Sequence, residues 1–387
     1  MPCGGVVRTL ALRKGRSESR RGHKPVEREP KQRYNLAIIG ASTLKGKEVK
    51  AVLKERGFPL GRLISLEEEW AGPSGGREEE PSALPTLTQD HFQQTHIAIF
   101  AGSPAFTEQH WQAAYECGCQ IIDVSYGLET NPQAGLRAAT IEGLWDPDGE
   151  SPPVPVSNHR ITVGAHPAAI AIAGILRRLS CCSTIVRSVG AVFEPASERG
   201  QAGVEELHRQ TVNLLSFQPV PRDVFDTQVA FNLLSGYGEH APSSLRQVQG
   251  RIGDHVRRLL EGRVPAPALR LLQTPIFFGH AFCCFVEMEK PVPPEELEKG
   301  LERRPFSVCR DLATQPTVVD VVGSNEIMLG RVEKDPAGES GYWLWGAMDN
   351  LRVAALNVVE IAEHWVAVQS NPIDAPEGGR RSKIGRD

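Results

Sequence analysis

A short apolar run that leads directly into a glycine-bounded turn is the feature that most restricts the fold of this chain. Residues 34–39 read Tyr-Asn-Leu-Ala-Ile-Ile, and the turn after them reads Gly40-Ala-Ser-Thr-Leu-Lys-Gly46. Apolar residues then recur at helical spacing over residues 49–53, and Gly57 can end that helix. A strand, a glycine turn and a helix in this order predict the first unit of a parallel sheet.

Three more apolar runs continue this pattern within the first 164 residues. They are residues 63–66, 96–100 and 120–124, and an amphipathic stretch separates the last two. Strands that alternate with helices at this spacing are typical of a parallel sheet with helices on both faces. The sequence therefore predicts a Rossmann-type, doubly wound α/β domain over residues 34–164.

The pattern changes after residue 164, where strand-like runs become more frequent. An apolar helix is predicted over about 168–179, a strand over 184–192 and a long helix after Ser197. Further strand-like runs follow at residues 269–272, 276–289, 318–322, 327–332 and 342–346. We interpret residues 165–348 as an α+β domain and residues 349–368 as a helix that completes the first domain.

Charge and composition exclude several classes of protein. The net charge of −4 is small, and acidic and basic residues are present in similar numbers. This gives no electrostatic basis for binding nucleic acid or a membrane surface. No apolar run approaches the roughly 20 residues that span a bilayer, and no secretory pattern is present. We expect a cytoplasmic protein with a disordered basic tail at residues 1–33 and a loose tail at residues 369–387.

The eight cysteines do not predict a metal site. Four of them form the adjacent pairs Cys181-Cys182 and Cys283-Cys284, and neighbouring cysteines rarely bridge each other. The single C-x-C motif is Cys117-Gly118-Cys119, and no second pair lies at zinc-ligand spacing. The sequence therefore predicts reduced thiols and no bound metal.

The glycine turn after the first strand is a candidate dinucleotide site. A helix that starts directly after such a turn presents free N–H groups and the positive end of its dipole, and a pyrophosphate fits there. The candidate contacts are Gly40, Ser42, Thr43, Leu44 and Gly46. The spacing G-x-x-x-x-x-G is a weak signal by itself, so tight packing without a ligand is an open alternative.

Two glutamates after the second strand bear on which dinucleotide such a site would bind. Glu67 and Glu68 stand where a carboxylate can accept hydrogen bonds from a ribose 2′-OH and would repel a 2′-phosphate. No arginine stands there. This favours NAD over NADP as the cofactor, with the alternative that the two glutamates only solvate a loop.

Several segments in the same order resemble aspartate-semialdehyde dehydrogenases, and especially their diverged USG-1-type relatives. The likeness covers roughly residues 34–368, and it rests on shared order more than on any one motif. The matching segments are Gly40–Gly46, Phe100-Ala-Gly-Ser103, Val154-Pro-Val-Ser-Asn158, Ala230-Phe-Asn-Leu-Leu234, Pro275-Ile-Phe-Phe-Gly-His280 and Asp349-Asn-Leu-Arg352.

The resemblance implies a fold, an assembly and further site residues. Its second domain would be the α+β dimerisation domain of semialdehyde dehydrogenases, so a homodimer is expected. Gly102 and Asn350 would join the glycine turn as cofactor contacts, with NAD or NADP as the cofactor. His280 falls on the acid/base histidine of the family. A neutral imidazole at that position can accept the proton of a thiol.

The family's catalytic cysteine has no counterpart at the matching position. These enzymes form a thioester through a cysteine in an Asn-Pro-Asn-Cys turn that opens a helix, whose dipole lowers the pKa of the thiol. The matching stretch here is Ala165-His-Pro-Ala-Ala-Ile170, which places Ala169 at the nucleophile. Cys182 begins a similar Cys-Ser-Thr-Ile sequence, but it follows the apolar helix instead of preceding it, so a buried structural thiol is the preferred interpretation.

Other matched positions also depart from the family pattern. Glu129 and Gln273 stand where the resemblance places arginines for the substrate phosphate and carboxylate, and Glu194 stands near an active-site glutamine. Without a thiol to deprotonate, His280 would have a structural role or contact a different ligand.

Three functional hypotheses follow from these departures. The first is a homodimeric family member without catalysis that retains dinucleotide binding. The second is an active dehydrogenase for an altered substrate, with Cys182 or another nucleophile. The third is an interaction protein whose glycine turn binds nothing.

Overall fold

A computed structural model of the chain describes residues 32–68, 87–145, 159–311 and 315–370. Most of the two predicted tails and the segment Val154–Asn158 lie outside the described residues. The described residues contain two sheets, one built before residue 165 and one after it. No helix among them is long and apolar enough to cross a membrane.

The first sheet has six parallel strands in the order β2-β1-β3-β4-β6-β5. The strands are β1 (Tyr34–Ile39), β2 (Leu60–Leu66), β3 (Ile97–Phe100), β4 (Gln120–Asp123), β5 (Ala134–Arg137) and β6 (Ile161–Gly164). The crossover helices are α1 (Leu44–Glu55) and α2 (Pro104–Glu116), and the last helix of the chain, α7 (Asn350–Ser370), packs beside α1. The predicted doubly wound parallel sheet is confirmed.

Alternation of side chains in β1 explains why helices cover both faces of this sheet. Leu36 and Ile38 belong to one core cluster together with residues of α1 and α7. Ala37 and Ile39 belong to a second cluster with residues of α2. Successive side chains of a strand point to opposite faces, so a strand that is apolar at every position is buried on both sides.

The second sheet is mixed and has seven strands. Its path is β10-β11-β13-β9-β7-β8, and β12 pairs with β13. The strands are β7 (Ile185–Glu194), β8 (Ala268–Gln273), β9 (His280–Met288), β10 (Phe306–Val308), β11 (Ile327–Leu329), β12 (Glu333–Lys334) and β13 (Gly341–Met348). The helices of this half are α3 (Pro167–Ser180), α4 (Gly200–Leu215), α5 (Leu245–Leu259) and α6 (Pro294–Leu301).

One face of the second sheet is buried and the other is open. Phe282, Val286 and Leu344 lie in the same core cluster as the apolar residues of α3, α5 and α6. On the opposite face Trp343 and Trp345 are 42% and 37% exposed. The α+β prediction for this half is confirmed, and its open apolar face matters for assembly below.

Two predictions for the second half were wrong. Residues 318–322 form turns and not a strand, because the Thr317 hydroxyl binds Asp320 and folds the backbone locally. The predicted strand over 276–289 begins only at His280, since Gly279 has a φ of +86°, which an extended strand cannot adopt. The sequence analysis also did not predict α5, whose apolar residues recur at helical spacing.

Candidate functional site

Three glycines bring the turn after β1 close to the end of β3. Gly40 has a φ of +76°, and a Cβ atom there would lie 2.5 Å from the backbone nitrogen of Gly102. A Cβ atom on Gly46 would lie 2.2 Å from the carbonyl oxygen of Gly40. Only glycine fits at these points, so the turn has the close backbone packing of a strand–turn–helix phosphate site.

The start of α1 completes this turn. Thr43 is its N-cap, and its hydroxyl oxygen accepts a hydrogen bond from the Gly46 nitrogen at 3.0 Å. Leu44 and Lys45 are the first helical residues, and a helix offers no acceptor to N–H groups at these positions. Partial positive charge gathers at such a helix end, so an anionic group is stabilised there.

The two glutamates after β2 bind the loops at the carboxyl edge of the first sheet. Glu67 accepts hydrogen bonds from the backbone nitrogen of Ser42 at 3.0 Å and from its hydroxyl at 2.5 Å. Glu68 accepts from the backbone nitrogen of Ser103 at 2.7 Å and from its hydroxyl. The Glu67 carboxylate therefore lies next to the glycine turn while it stays exposed to solvent.

Helix α3 begins at a buried point directly after β6. His166 is its N-cap, and its Nδ1 accepts a hydrogen bond from the Ala168 nitrogen at 3.2 Å. Pro167 follows at the first helical position, where its fixed φ suits the helix. Ala169, the predicted position of the lost nucleophile, lies in this first turn and is fully buried. The helix end that would activate a thiol presents a methyl group.

The structure places His280 at this same helix end. Its ring is fully buried and lies edge-on to the ring of His166, with centroids 5.6 Å apart. Burial lowers the pKa of His280 to about 4 and the pKa of His166 well below its ordinary value, and the nearby carboxylate of Glu198 opposes both changes. Both imidazoles are therefore neutral at neutral pH.

Two glutamates and one arginine surround the histidine pair. The Glu198 carboxylate lies 3.7 Å from His166 and 4.0 Å from His280. Glu194, at the end of β7, is fully buried and pairs with Arg199. Burial raises the pKa of the Glu194 carboxyl, and the guanidinium of Arg199 opposes that rise.

Asn350 contacts this cluster from the start of α7. Its Nδ2 donates to Glu198 at 2.7 Å, and its Oδ1 accepts from the Gly279 nitrogen at 3.0 Å. The side chain is buried. Asn350 therefore joins the two halves of the chain beside His280, and its contact with a cofactor stays a prediction.

The positions predicted for missing anion clamps are occupied by paired side chains. Glu129 forms a bidentate ion pair with Arg251, at 2.6 and 3.0 Å. Gln273 is buried, and its Oε1 accepts a hydrogen bond from the Tyr237 hydroxyl at 2.6 Å. The ion pair of Glu129 with Arg251 has no net charge to attract a phosphate, and Gln273 has no charge to bind a carboxylate.

Cys182 lies at the wrong end of α3 for catalysis. The helix separates it from Ala169 by 13 positions, which corresponds to about 20 Å at 1.5 Å per residue. Its Sγ is 4.0 Å from the Arg178 carbonyl oxygen, and burial raises the pKa of its thiol. The preferred interpretation of Cys182 as a structural thiol agrees with this position.

Several residues of the site were not predicted from the sequence. Tyr126 stacks on His166 with ring centroids 5.7 Å apart, and the Lys45 ammonium lies 4.4 Å from the centre of the Tyr126 ring. The roles of Glu198 and Arg199 were missed as well. The sequence signal for His166 was its position directly before Pro167 at a predicted helix start.

Comparisons with known proteins give consistent matches over most of the chain. The sequence profile of the semialdehyde dehydrogenase dimerisation domain matches residues 183–353. A USG-1 protein homologue of Pseudomonas aeruginosa is 30% identical over 86% of this chain and 97% of its own length. The aspartate-semialdehyde dehydrogenase of Rickettsia bellii is 28% identical, with 87% and 98% covered.

A solved structure agrees with these sequence matches. It is aspartate-semialdehyde dehydrogenase II of Vibrio cholerae complexed with ASA, and it superposes with a TM-score of 0.73 at 25% identity. The match covers 87% of this chain and 99% of the other.

Proposed function

Because this chain belongs to the aspartate-semialdehyde dehydrogenase family, we propose that it is a homodimeric member that binds a dinucleotide and has lost the thioester chemistry. The observation that carries the proposal is the fully buried methyl group of Ala169 in the first turn of α3, the helix that His166 caps next to the ring of His280. A methyl group has no lone pair with which to attack an acyl carbon. The reaction that needs a thiolate at this point therefore has no nucleophile.

Five of the seven cysteines that the structure describes are poor replacements for the missing thiolate. Burial raises the pKa of Cys119 to about 11 and the pKa of Cys284 to about 12. Burial also raises the pKa of Cys117, Cys182 and Cys283 above the ordinary value. The thiolate is the reactive form of cysteine, so a raised pKa makes these thiols poor nucleophiles at neutral pH.

The geometry of the glycine turn supports dinucleotide binding. Gly40, Gly46 and Gly102 allow the backbone approach that a pyrophosphate needs, and the end of α1 offers N–H donors. Glu67 would accept hydrogen bonds from a ribose 2′-OH, and its charge would repel a 2′-phosphate. We therefore propose NAD as the cofactor in preference to NADP.

A titration with the two dinucleotides tests this proposal. We expect NAD to bind the purified chain at least about 10-fold more tightly than NADP, which corresponds to roughly 1.4 kcal/mol. The Glu67→Ala variant should lose most of that preference, because the carboxylate that separates the two cofactors is gone. Isothermal titration calorimetry measures both affinities.

The matched control for this titration is Glu108→Ala, which removes an exposed carboxylate from α2. It should leave both affinities unchanged. If neither NAD nor NADP binds, the cofactor proposal is contradicted, and the hypothesis of an interaction protein whose glycine turn binds nothing is favoured. Equal affinities in the unsubstituted chain would contradict the role of Glu67.

The open face of the second sheet supports the homodimer. Val189, Phe285 and Trp343 lie side by side across three strands on this face, and Cys283 and Trp345 form the next row. A contiguous apolar face of this kind marks a protein interface. The matching profile is that of a dimerisation domain, which agrees with a second copy as the partner.

Sedimentation velocity checks the assembly. We expect a dimer for the unsubstituted chain and a monomer for Trp343→Lys, because two lysines would be buried without partners at the contact. Val368→Lys places the same charge on α7, at a side chain of similar exposure, and should stay dimeric. A dimer that survives Trp343→Lys would rule out this face.

A further inference from the structure

A cluster of potential metal ligands lies at the N-terminal end of α3, the helix that contains Ala169. It consists of His166, Glu194 and His280, and one ligand atom of each lies within 4.8 Å of the other two. Their exposed fractions are 1%, 0% and 0%. The three side chains come from the N-cap of α3, the end of β7 and the start of β9.

Three polar atoms in this cluster have no hydrogen-bond partner among the described residues. They are the Nδ1 and Nε2 atoms of His280 and the Oε2 atom of Glu194. A buried polar atom without a partner destabilises the fold, and native proteins contain few of them. Three such atoms at one point therefore indicate a group that binds them.

We propose that His166, Glu194 and His280 bind a divalent cation of the zinc type. Two imidazole nitrogens and one carboxylate oxygen are a ligand set that zinc accepts, with a fourth position left for water or another ligand. Ligand atoms around tetrahedral zinc lie about 3.3 Å apart at bond lengths of 2.0–2.2 Å. Closing separations of up to 4.8 Å to that distance takes inward movements of about 1 Å by these side chains.

Glu198 is placed to support the His280 ligand. Its Oε1 lies 4.0 Å from Nδ1 of His280, which leaves Nε2 of that ring for the cation. His166 would bind through its Nε2, because its Nδ1 accepts the Ala168 N–H. Histidine ligands commonly donate their second ring N–H to a carboxylate, which fixes the orientation of the ring. The Asn350 amide holds the Glu198 carboxylate in place at 2.7 Å.

The charges around the cluster indicate which kind of ligand would occupy the fourth coordination position of the cation. The carboxylates of Glu194 and Glu198 offset the cations of Arg199 and Lys45, which act on the same groups. A divalent cation would then add two positive charges to a buried site, which is costly without an anion. The fourth ligand is therefore an anion such as hydroxide.

Metal titration of the demetallated full chain tests the site. We expect one Co²⁺ per chain, with the visible absorption of four-coordinate cobalt, and displacement of the cobalt by Zn²⁺. His280→Gln and Glu194→Gln should each weaken Zn²⁺ binding by about 100-fold or more, measured against a chromophoric chelator. Zn²⁺ should raise the melting temperature of the unsubstituted chain by more than it raises that of either variant.

His110→Gln is the matched control. His110 is also a buried histidine whose Nε2 has no hydrogen-bond partner in the described part of the chain, but it lies in α2 and outside the cluster. This variant should bind Zn²⁺ as the unsubstituted chain does. Undiminished binding by His280→Gln and Glu194→Gln would overturn the proposal. If those variants fail to fold, an unsubstituted chain without the four-coordinate cobalt spectrum would overturn it as well.

Discussion

Replacement of Gly46 by alanine is expected to lower the free energy of unfolding by about 3 kcal/mol, the upper end for overpacking. The new Cβ atom would lie 2.2 Å from the Gly40 carbonyl oxygen and 2.9 Å from the Ala41 Cα atom. Both are backbone atoms that cannot rotate away, so α1 must move off the turn. Urea unfolding followed by circular dichroism measures the change.

The same shift of α1 should weaken dinucleotide binding. The Gly40 carbonyl oxygen also accepts hydrogen bonds from the nitrogen and the hydroxyl of Thr43, at 3.1 and 2.8 Å. These bonds hold the N-cap of α1 in place, and the alanine methyl group enters the same space. A stabilised Gly46→Ala variant would contradict the close approach of α1 to the turn.

Gly250→Ala is the matched control because Gly250 is also a helical glycine. It lies in α5, and a Cβ atom there would meet nothing within 4 Å. Alanine is about 1 kcal/mol more favourable than glycine inside a helix. Gly250→Ala should therefore stabilise the chain by up to about 1 kcal/mol. The opposite signs of the two variants separate the steric contact from helix propensity.

Local patterns were sufficient to predict the first four strands of the first sheet, but not β5 and β6. Strand β1 is apolar at nearly every position, as expected for a strand whose two faces are both covered. The glycine turn after it predicted the crossover helix. The strand prediction for residues 318–322 was wrong because β-branched side chains are typical of strands. In the structure the Thr317 hydroxyl binds Asp320 and stabilises a turn there. Tertiary context decides such short segments.

The site itself was only partly predictable. The resemblance identified Ala169 and His280, but it said nothing of the contacts among their neighbours. His166, Glu194 and His280 are separated by 28 and 86 positions, so no metal-ligand spacing joins them in the sequence. The convergence of β7, β9 and α3 brings them together, and that convergence is a property of the second sheet.

The largest expected effect concerns acyl transfer itself. Removal of a catalytic nucleophile costs about 10⁶-fold in turnover in a well-studied hydrolase. We therefore expect reduction of acyl phosphates by this chain to fall at least about 10⁴-fold below that of a relative with the cysteine. The Cys182→Ala variant should behave as the unsubstituted chain, because Cys182 lies about 20 Å along α3 from the site.

Mass spectrometry of the chain after exposure to an acyl phosphate tests the loss of thioester chemistry most directly. Peptide mapping before and after neutral hydroxylamine separates thioesters from stable adducts on lysine. We predict that no cysteine carries a hydroxylamine-labile acyl group. An acyl group on a cysteine, formed in the folded chain and released as aldehyde when a reduced dinucleotide is added, would contradict the account.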